Sequence, residues 1–445
     1  MPIELCDPVA CVAAGCTATV CTGAGLPSNT ELFARSARAI PGGVNSSIRA
    51  FKSVGGEPYV VARANGAFVY DVEGTEYVDL VQSYGAVILG HAHPAVTAAL
   101  AAAVPDGTSY GAPTPREMKL AEAIGARVPS CEQVRFMNSG TEATSTAVRL
   151  ARGYTGRDRI VIFHGNFHGA TDALLAAGGS GVATLGLPGT AGIPAGAVAE
   201  TLVVPYNQVP TLDDSVAAVI VEPVAGNMGV VAPAPGFLEG LRAECDRVGA
   251  VLVFDEVITG FRLGLGGAQG RYGVTPDLTT FGKVIGGGLP IGAVGGRREL
   301  METLSPLGRV FQSGTLAGNP LATAAGLAAL DQLDDGSYEF LAAQATKLAG
   351  LLTDACTAAG FPASFPVVGT LVGMVCGDVP AATDFASAKL TDEAAFGRFF
   401  HAMLAEGVAM APGAYEAIFV GMSHTDAVLD RVAAAAHRAA AAATP

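Results

Sequence analysis

Tryptophan is absent from this 445-residue chain, and lysine is nearly so. Lys52, Lys119, Lys283, Lys347 and Lys389 are the only lysines among its 26 basic residues. Charge of either sign is sparse at 15%, and the 40 acidic residues outnumber the basic ones to give a net charge of -14. That balance argues against nucleic acid or an anionic membrane surface as the main partner, so an anionic ligand would need a local cationic pocket. Apolar runs are broken by Gly, Pro or a charge before the ~18–20 residues that cross a bilayer, so no membrane span is expected. The first basic residue is Arg35, which leaves the N-terminus without the cationic region of a secretory signal. The expectation is a cytoplasmic protein.

What is abundant is apolar: half the residues are hydrophobic, enough for a substantial core. The length suggests about three folding units. Cys6, Cys11, Cys16 and Cys21 recur every five residues, but without the paired C-x2-C spacing of a metal site. Residues 1–28 read as a poorly ordered extension. No metal is proposed elsewhere: His91 and His93 sit in ILGHAHP, which reads as a structural loop.

A helix is expected from Asn29, capped by Asn29 or Thr30 and stopped by Pro41-Gly42-Gly43. Residues 58–80 hold turn signals at Asn65-Gly66 and Glu73-Gly74 and predict a short antiparallel meander. From there short apolar runs alternate with helical windows. The runs are 133–137, 159–163, 217–222, 250–256 and 278–283. This alternation predicts an α/β fold with a mainly parallel sheet covered by helices on both faces, whose ligands sit at the carboxyl ends of the strands. Residues 81–319 form the large domain on this reading. Residues 29–80 are an N-terminal segment, and 320–445 are a smaller α+β domain.

The chemistry-bearing residues fall after those strands. Lys283 is followed by Val-Ile-Gly-Gly-Gly, where desolvation would lower an amine's pKa and leave it neutral enough for Schiff-base chemistry. Asp255 ends the run VLVFDE at the same sheet edge. An aspartate that keeps a pyridine nitrogen protonated, together with a lysine that condenses with an aldehyde, is what pyridoxal 5′-phosphate (PLP) requires. Ser139-Gly140-Thr141 opens a helix and offers N–H groups for a phosphate, although an ordinary cap would look the same. Phe167 and His168 follow the run RIVIF, where Phe167 has the shape to stack on a planar ring.

The segments NSGTEAT, VEPVAGNMG, FDEVITGFR, FGKVIGGGLPIGA and GTLAGNP, in this order and spacing, resemble the class III PLP-dependent aminotransferases. Within them the chain is most similar to the glutamate-1-semialdehyde 2,1-aminomutases, over residues 30 to 440. The resemblance implies a PLP-dependent transferase of fold type I, a homodimer with shared sites, and conversion of glutamate-1-semialdehyde to 5-aminolevulinate, a tetrapyrrole precursor. It implies a cycle begun from the pyridoxamine 5′-phosphate form, with Lys283 moving the proton. It further implies that Asn227 and Val257 lie at the cofactor and that Thr315 serves the neighbouring subunit's phosphate. Ser46 and Arg49 would hold the substrate carboxylate, Ser180 would lie in a mobile lid, and Glu416 would lie near the reacting amines. Four positions depart from the family's usual residues: Tyr84 for tryptophan, Phe167 and Phe311 for tyrosine, and Ala170 for histidine. These departures keep open an intermolecular aminotransferase acting on an ω- or β-amino acid or another carboxylate-bearing biosynthetic intermediate. A non-catalytic binding or assembly role is the reading from another class, against which Lys283, Asp255 and the Ser139–Thr141 turn argue.

Overall fold

The computed structural model describes residues 27–176 and 190–444. Three strands come first, β1 (Val61–Asn65), β2 (Phe68–Asp71) and β3 (Glu76–Asp79), joined as an antiparallel meander. β3 also pairs in parallel with the two-residue strand Val408–Ala409, so the N-terminal and C-terminal segments share one sheet. The helix Asn29–Ala39 ahead of them begins at the expected residue, but its cap lies one residue before the expected positions. Ser28 is the cap, its hydroxyl accepting the Glu31 N–H at 3.2 Å while the Glu31 carboxylate accepts the Ser28 N–H at 2.9 Å. Asn29 is diverted to tertiary work: its amide donates to Asp71 and accepts from the Val60 N–H.

The central sheet is built from β4 (Gln133–Met137), β5 (Arg159–Phe163), β6 (Thr201–Val204), β7 (Val216–Val221), β8 (Val251–Asp255), β9 (Leu278–Phe281) and β10 (Gly292–Gly296). Its order is β4-β10-β9-β8-β7-β5-β6. β9, β8, β7, β5 and β6 run parallel, whereas β10 is antiparallel to both neighbours. Alternate side chains of each inner strand feed separate cores, because strand side chains point to opposite faces in turn. Ala218, Ile220, Val251 and Val253 pack with Ala147, Leu150 and Ala151 of the helix Gly140–Thr155. Val219, Val221, Leu252 and Phe254 pack with Leu238, Leu241 and Cys245 of the helix Phe237–Val248. With both faces covered, these strands read as unbroken apolar runs, and that is why the sequence exposes them so clearly.

β6 and β10 are not among the strands expected from the sequence. β10 reads Gly-Ala-Val-Gly-Gly, a composition that weakens any strand prediction. Its glycines have steric reasons: a Cβ on Gly292 would collide with the Ser139 carbonyl, and one on Gly295 would lie 2.6 Å from the Cys131 sulfur. After β10, the helix Pro320–Leu330 packs on the helices Pro94–Ala103 and Pro115–Arg127. The helices Asp335–Ala359, Glu393–Ala405 and Asp426–Ala443 pack together with small antiparallel strands. No helix among the described residues is long and apolar enough to cross a membrane.

Candidate active site

The carboxyl ends of β4, β5, β7, β8 and β9 converge on a cavity of about 230 Å³, lined by Ser139, Gly140, Thr141, Phe167, His168, Glu222, Asn227, Asp255, Val257 and Lys283 among others. Lys283 follows β9 after one extended glycine and holds a left-handed backbone, φ 48°. A long side chain seldom adopts that conformation without surrounding constraint. Lys283 is half-buried and lines the cavity. Burial lowers its amine pKa to about 8, against the pull of Glu222, Glu416 and Asp255, while the Arg262 cation adds to the lowering.

Asp255, at the end of β8, is 3% exposed and held on both oxygens. One accepts the Val257 N–H at 3.1 Å and the Thr280 hydroxyl at 3.0 Å. The other lies 2.7 Å from His168 Nδ1. His168 is also buried, and its Nε2 has no hydrogen-bond partner among the described residues. The His168 carbonyl in turn accepts the Thr144 hydroxyl at 2.6 Å, which ties the loop after β5 to the helix Gly140–Thr155. Gly169 makes that approach possible: it has φ 85°, and a Cβ there would stand 2.7 Å from Thr141 Cα.

At the mouth of that helix the Ser139 hydroxyl accepts the Glu142 N–H and the Ser139 carbonyl accepts the Ala143 N–H. The first N–H groups of a helix lack intrahelical partners, so those of Gly140 and Thr141 face outward with the positive end of the dipole. The cavity thus offers N–H donors for a phosphate, a carboxylate for a pyridine nitrogen and an amine for an aldehyde. Phe167 and Val257 are available as apolar walls for the ring. The donor set fits PLP.

Glu222 was missed in the sequence as a site residue, although it stands in the quoted VEPVAGNMG segment. It follows β7, is 3% exposed, and accepts from the Phe167 N–H at 2.6 Å, the Gly226 N–H at 2.9 Å and the Asn227 amide at 3.0 Å. Burial is the main cause of a pKa raised to about 7. An isolated VEP triplet carries no signal of this, because its proline and apolar neighbours read only as a strand end.

A second cavity of about 470 Å³ adjoins the first and shares Phe167, Asn227, Ile258 and Lys283 with it. Ser46, Arg49, Tyr84 and Glu416 line it. Ser46 and Arg49 are exposed, with Arg49 on the short helical turn Ser47–Ala50. That segment is anchored by Phe51, packed edge-on against Phe400 at 5.1 Å, and by the Ser53 hydroxyl, which donates to the Pro412 carbonyl in the loop that carries Glu416.

Tyr84 sits in a run of four left-handed residues, Gln82 to Gly85. Asp79 holds the start of the run by accepting the Val81 and Gln82 N–H groups, and Arg262 holds its end by donating to the Gly85 carbonyl at 2.8 Å. Arg262 is wholly buried and also donates to the Val420 carbonyl at 2.7 Å, stitching the Tyr84 turn to the strand beside Phe419. Desolvation lowers its pKa to about 10. Burial beside Glu416 raises the Tyr84 phenol well above its ordinary value.

Thr315 is not brought into either cavity of this chain. It is exposed in a separate groove with Ser109, Tyr110 and Ser313. Phe311 is likewise on the surface, 69% exposed, and Ala170 lines the second cavity. Ser180, the four regularly spaced cysteines and nearly all of the N-terminal extension lie outside the described residues. Among the described residues no cluster of three or more His, Cys, Asp or Glu side chains could hold a metal ion.

An Asp and a Lys at the ends of adjacent parallel strands, opposite a helix mouth, define a PLP-dependent enzyme of fold type I. A family model for class-III aminotransferases matches residues 51–427, and the chain belongs to that family. It is 50% identical over 419 residues to a protein named glutamate-1-semialdehyde 2,1-aminomutase 2 from Brevibacillus brevis, covering 92% of this chain and 97% of that one. It is 53% identical over 410 residues to a glutamate-1-semialdehyde 2,1-aminomutase from Bordetella avium, covering 90% and 96%. Among solved structures, an ω-transaminase from Sphaerobacter thermophilus superposes with a TM-score of 0.85 at 33% identity, covering 93% of this chain and 97% of that one. A transaminase with PLP bound superposes at 0.83 and 34%, covering 92% and 96%.

Proposed function

We propose that the chain is a glutamate-1-semialdehyde 2,1-aminomutase, exchanging the amine and carbonyl of its substrate to give 5-aminolevulinate. The observation that carries this reading is the joined pair of cavities, with Lys283 common to both, Asp255 behind it and Arg49 on the far rim. Half-identity to two proteins of that name supports it. When bound, PLP supplies an electron sink that stabilises charge on the carbon next to the amine.

The chain's residues do the rest. Ser139, Gly140 and Thr141 hold the phosphate, Asp255 keeps the pyridine nitrogen protonated, and His168 orients Asp255. Phe167 and Val257 would confine the ring, and Asn227 would lie near it. Lys283, with a pKa of about 8, takes and returns protons near neutral pH at little thermodynamic cost. Arg49, with Ser46, binds the carboxylate distal to the reacting carbons, and Glu416 faces the amines together with Tyr84. Thr315 reaches the phosphate site of a second subunit in a cytoplasmic homodimer. Substitution Arg49→Ala tests the substrate end. Hydrogen bonds to a charged group contribute about 1.5–3 kcal/mol. Steady-state kinetics should therefore show KM rising ~10- to 100-fold with kcat changing less. An unchanged KM would remove Arg49 from the carboxylate site.

Intermolecular transamination of an ω- or β-amino acid is the second reading, favoured by the likeness to an ω-transaminase and by Tyr84 and Phe167 at the cavity wall.

A further inference from the structure

Phe167 and Asn227 come from different loops, one after β5 and one after β7, and both line the two cavities. Nothing in the chain order keeps them in register. The Glu222 carboxylate does so directly. One oxygen accepts the Phe167 N–H and the Asn227 amide, and the other accepts the Gly226 N–H and the same amide. Its own position is fixed from behind. The Glu222 N–H donates to the Asn166 side chain at 2.9 Å, and the Glu222 carbonyl accepts from the Tyr206 hydroxyl at 3.2 Å. So complete a set of donors on a buried carboxylate is unusual for a residue that only ends a strand.

We propose that Glu222 is a positioning residue of the cofactor cavity, a clamp that fixes Phe167 against Asn227 and supplies negative charge beside the Lys283 amine. This rests on reading the smaller cavity as the PLP site. The charge matters because several groups face Lys283: Glu222 after β7, Asp255 on β8, Glu416 from the C-terminal loop, and the Arg262 cation opposing them. Of the three carboxylates, Glu222 has the strongest influence on the amine, and His168 and Asp255 flank it in turn. A glutamine at 222 keeps the shape and removes the charge. It also places an NH2 group, a donor, where a wild-type oxygen accepts from the Phe167 or Gly226 N–H and the Asn227 amide.

The test is Glu222→Gln, with Glu222→Asp beside it, each checked by thermal denaturation. In the apo-protein, acylation of Lys283 is followed against pH by peptide mass spectrometry. The wild type should titrate near pH 8, and Glu222→Gln should titrate about one unit lower, because loss of a neighbouring negative charge destabilises the ammonium. In the loaded protein, Glu222→Gln should release PLP ~10-fold faster and alter the visible circular dichroism. Glu222→Asp, with its charge kept and its reach shortened, should leave the titration near pH 8 yet still release PLP faster. If Glu222→Gln does not fold, faster release from Glu222→Asp with an unmoved titration supports the clamp, and release at the wild-type rate overturns it. An unmoved titration together with unchanged release and dichroism in Glu222→Gln also overturns the proposal. A wild type that shows no visible band fails the cofactor reading instead, and the apo titration then still decides the charge.

Discussion

Lys283→Ala should reduce turnover by about 10⁴-fold, the upper range for loss of a positioned general acid–base. The prediction follows from placement. Among the described residues Lys283 is the only lysine lining either cavity, it stands on a constrained left-handed backbone, and its pKa is lowered to about 8 by desolvation. Below that pH the amine is mostly protonated, and above it mostly neutral. Both forms are therefore populated around neutrality, which an exposed lysine with its ordinary pKa near 10.4 would not achieve. Borohydride treatment of the loaded wild type should fix the cofactor to the Lys283 peptide, as seen by mass. The alanine variant should bind PLP reversibly and show no fixed mass. Turnover near the wild-type rate in Lys283→Ala would remove the lysine from the chemistry.

Asp255→Ala should be the next most damaging change. Three donors converge on this carboxylate: the Val257 N–H, the Thr280 hydroxyl and His168 Nδ1. All are buried or nearly so, and truncation strands them. Removing one preorganised electrostatic partner of charge that develops in a transition state costs on the order of 10²- to 10³-fold in rate. Asp255→Asn separates the contributions. It keeps the shape and an acceptor but loses the charge proposed to keep the pyridine nitrogen protonated. Retained PLP affinity with a large fall in kcat is the expected pattern. Equal activity of Asp255→Ala and wild type, measured with saturating PLP, would contradict the role.

The parts legible in the sequence are those governed by local pattern. β4 and β5 coincide with the expected runs residue for residue, because they are short, mostly β-favouring, and flank the long helix Gly140–Thr155. Lys283 and Asp255 were visible as polar residues ending such runs. β10 was hidden because its glycines answer to steric contacts with distant residues, Ser139 and Cys131, that no local window contains. Glu222 was hidden for the same reason. Its role lies in donors from Phe167, 55 residues away in sequence, and in a buried setting that a strand-end glutamate does not announce. The cap at Ser28 shows the converse. Asn29 is as good a cap as Ser28 on paper, but its side chain is claimed by Asp71 and Val60. Tyr84 is intermediate. The sequence marks it as unusual, whereas the left-handed run that aims it into the cavity depends on Asp79 and Arg262.

The most direct test supplies enzyme loaded with pyridoxamine 5′-phosphate with glutamate-1-semialdehyde and no other amine donor or acceptor, and quantifies 5-aminolevulinate. Intramolecular exchange predicts stoichiometric, multiple-turnover formation of 5-aminolevulinate from the single substrate. Absence of product, with turnover restored only when a β- or ω-amino acid and a separate carbonyl acceptor are added, would contradict the aminomutase and establish an intermolecular transaminase in its place.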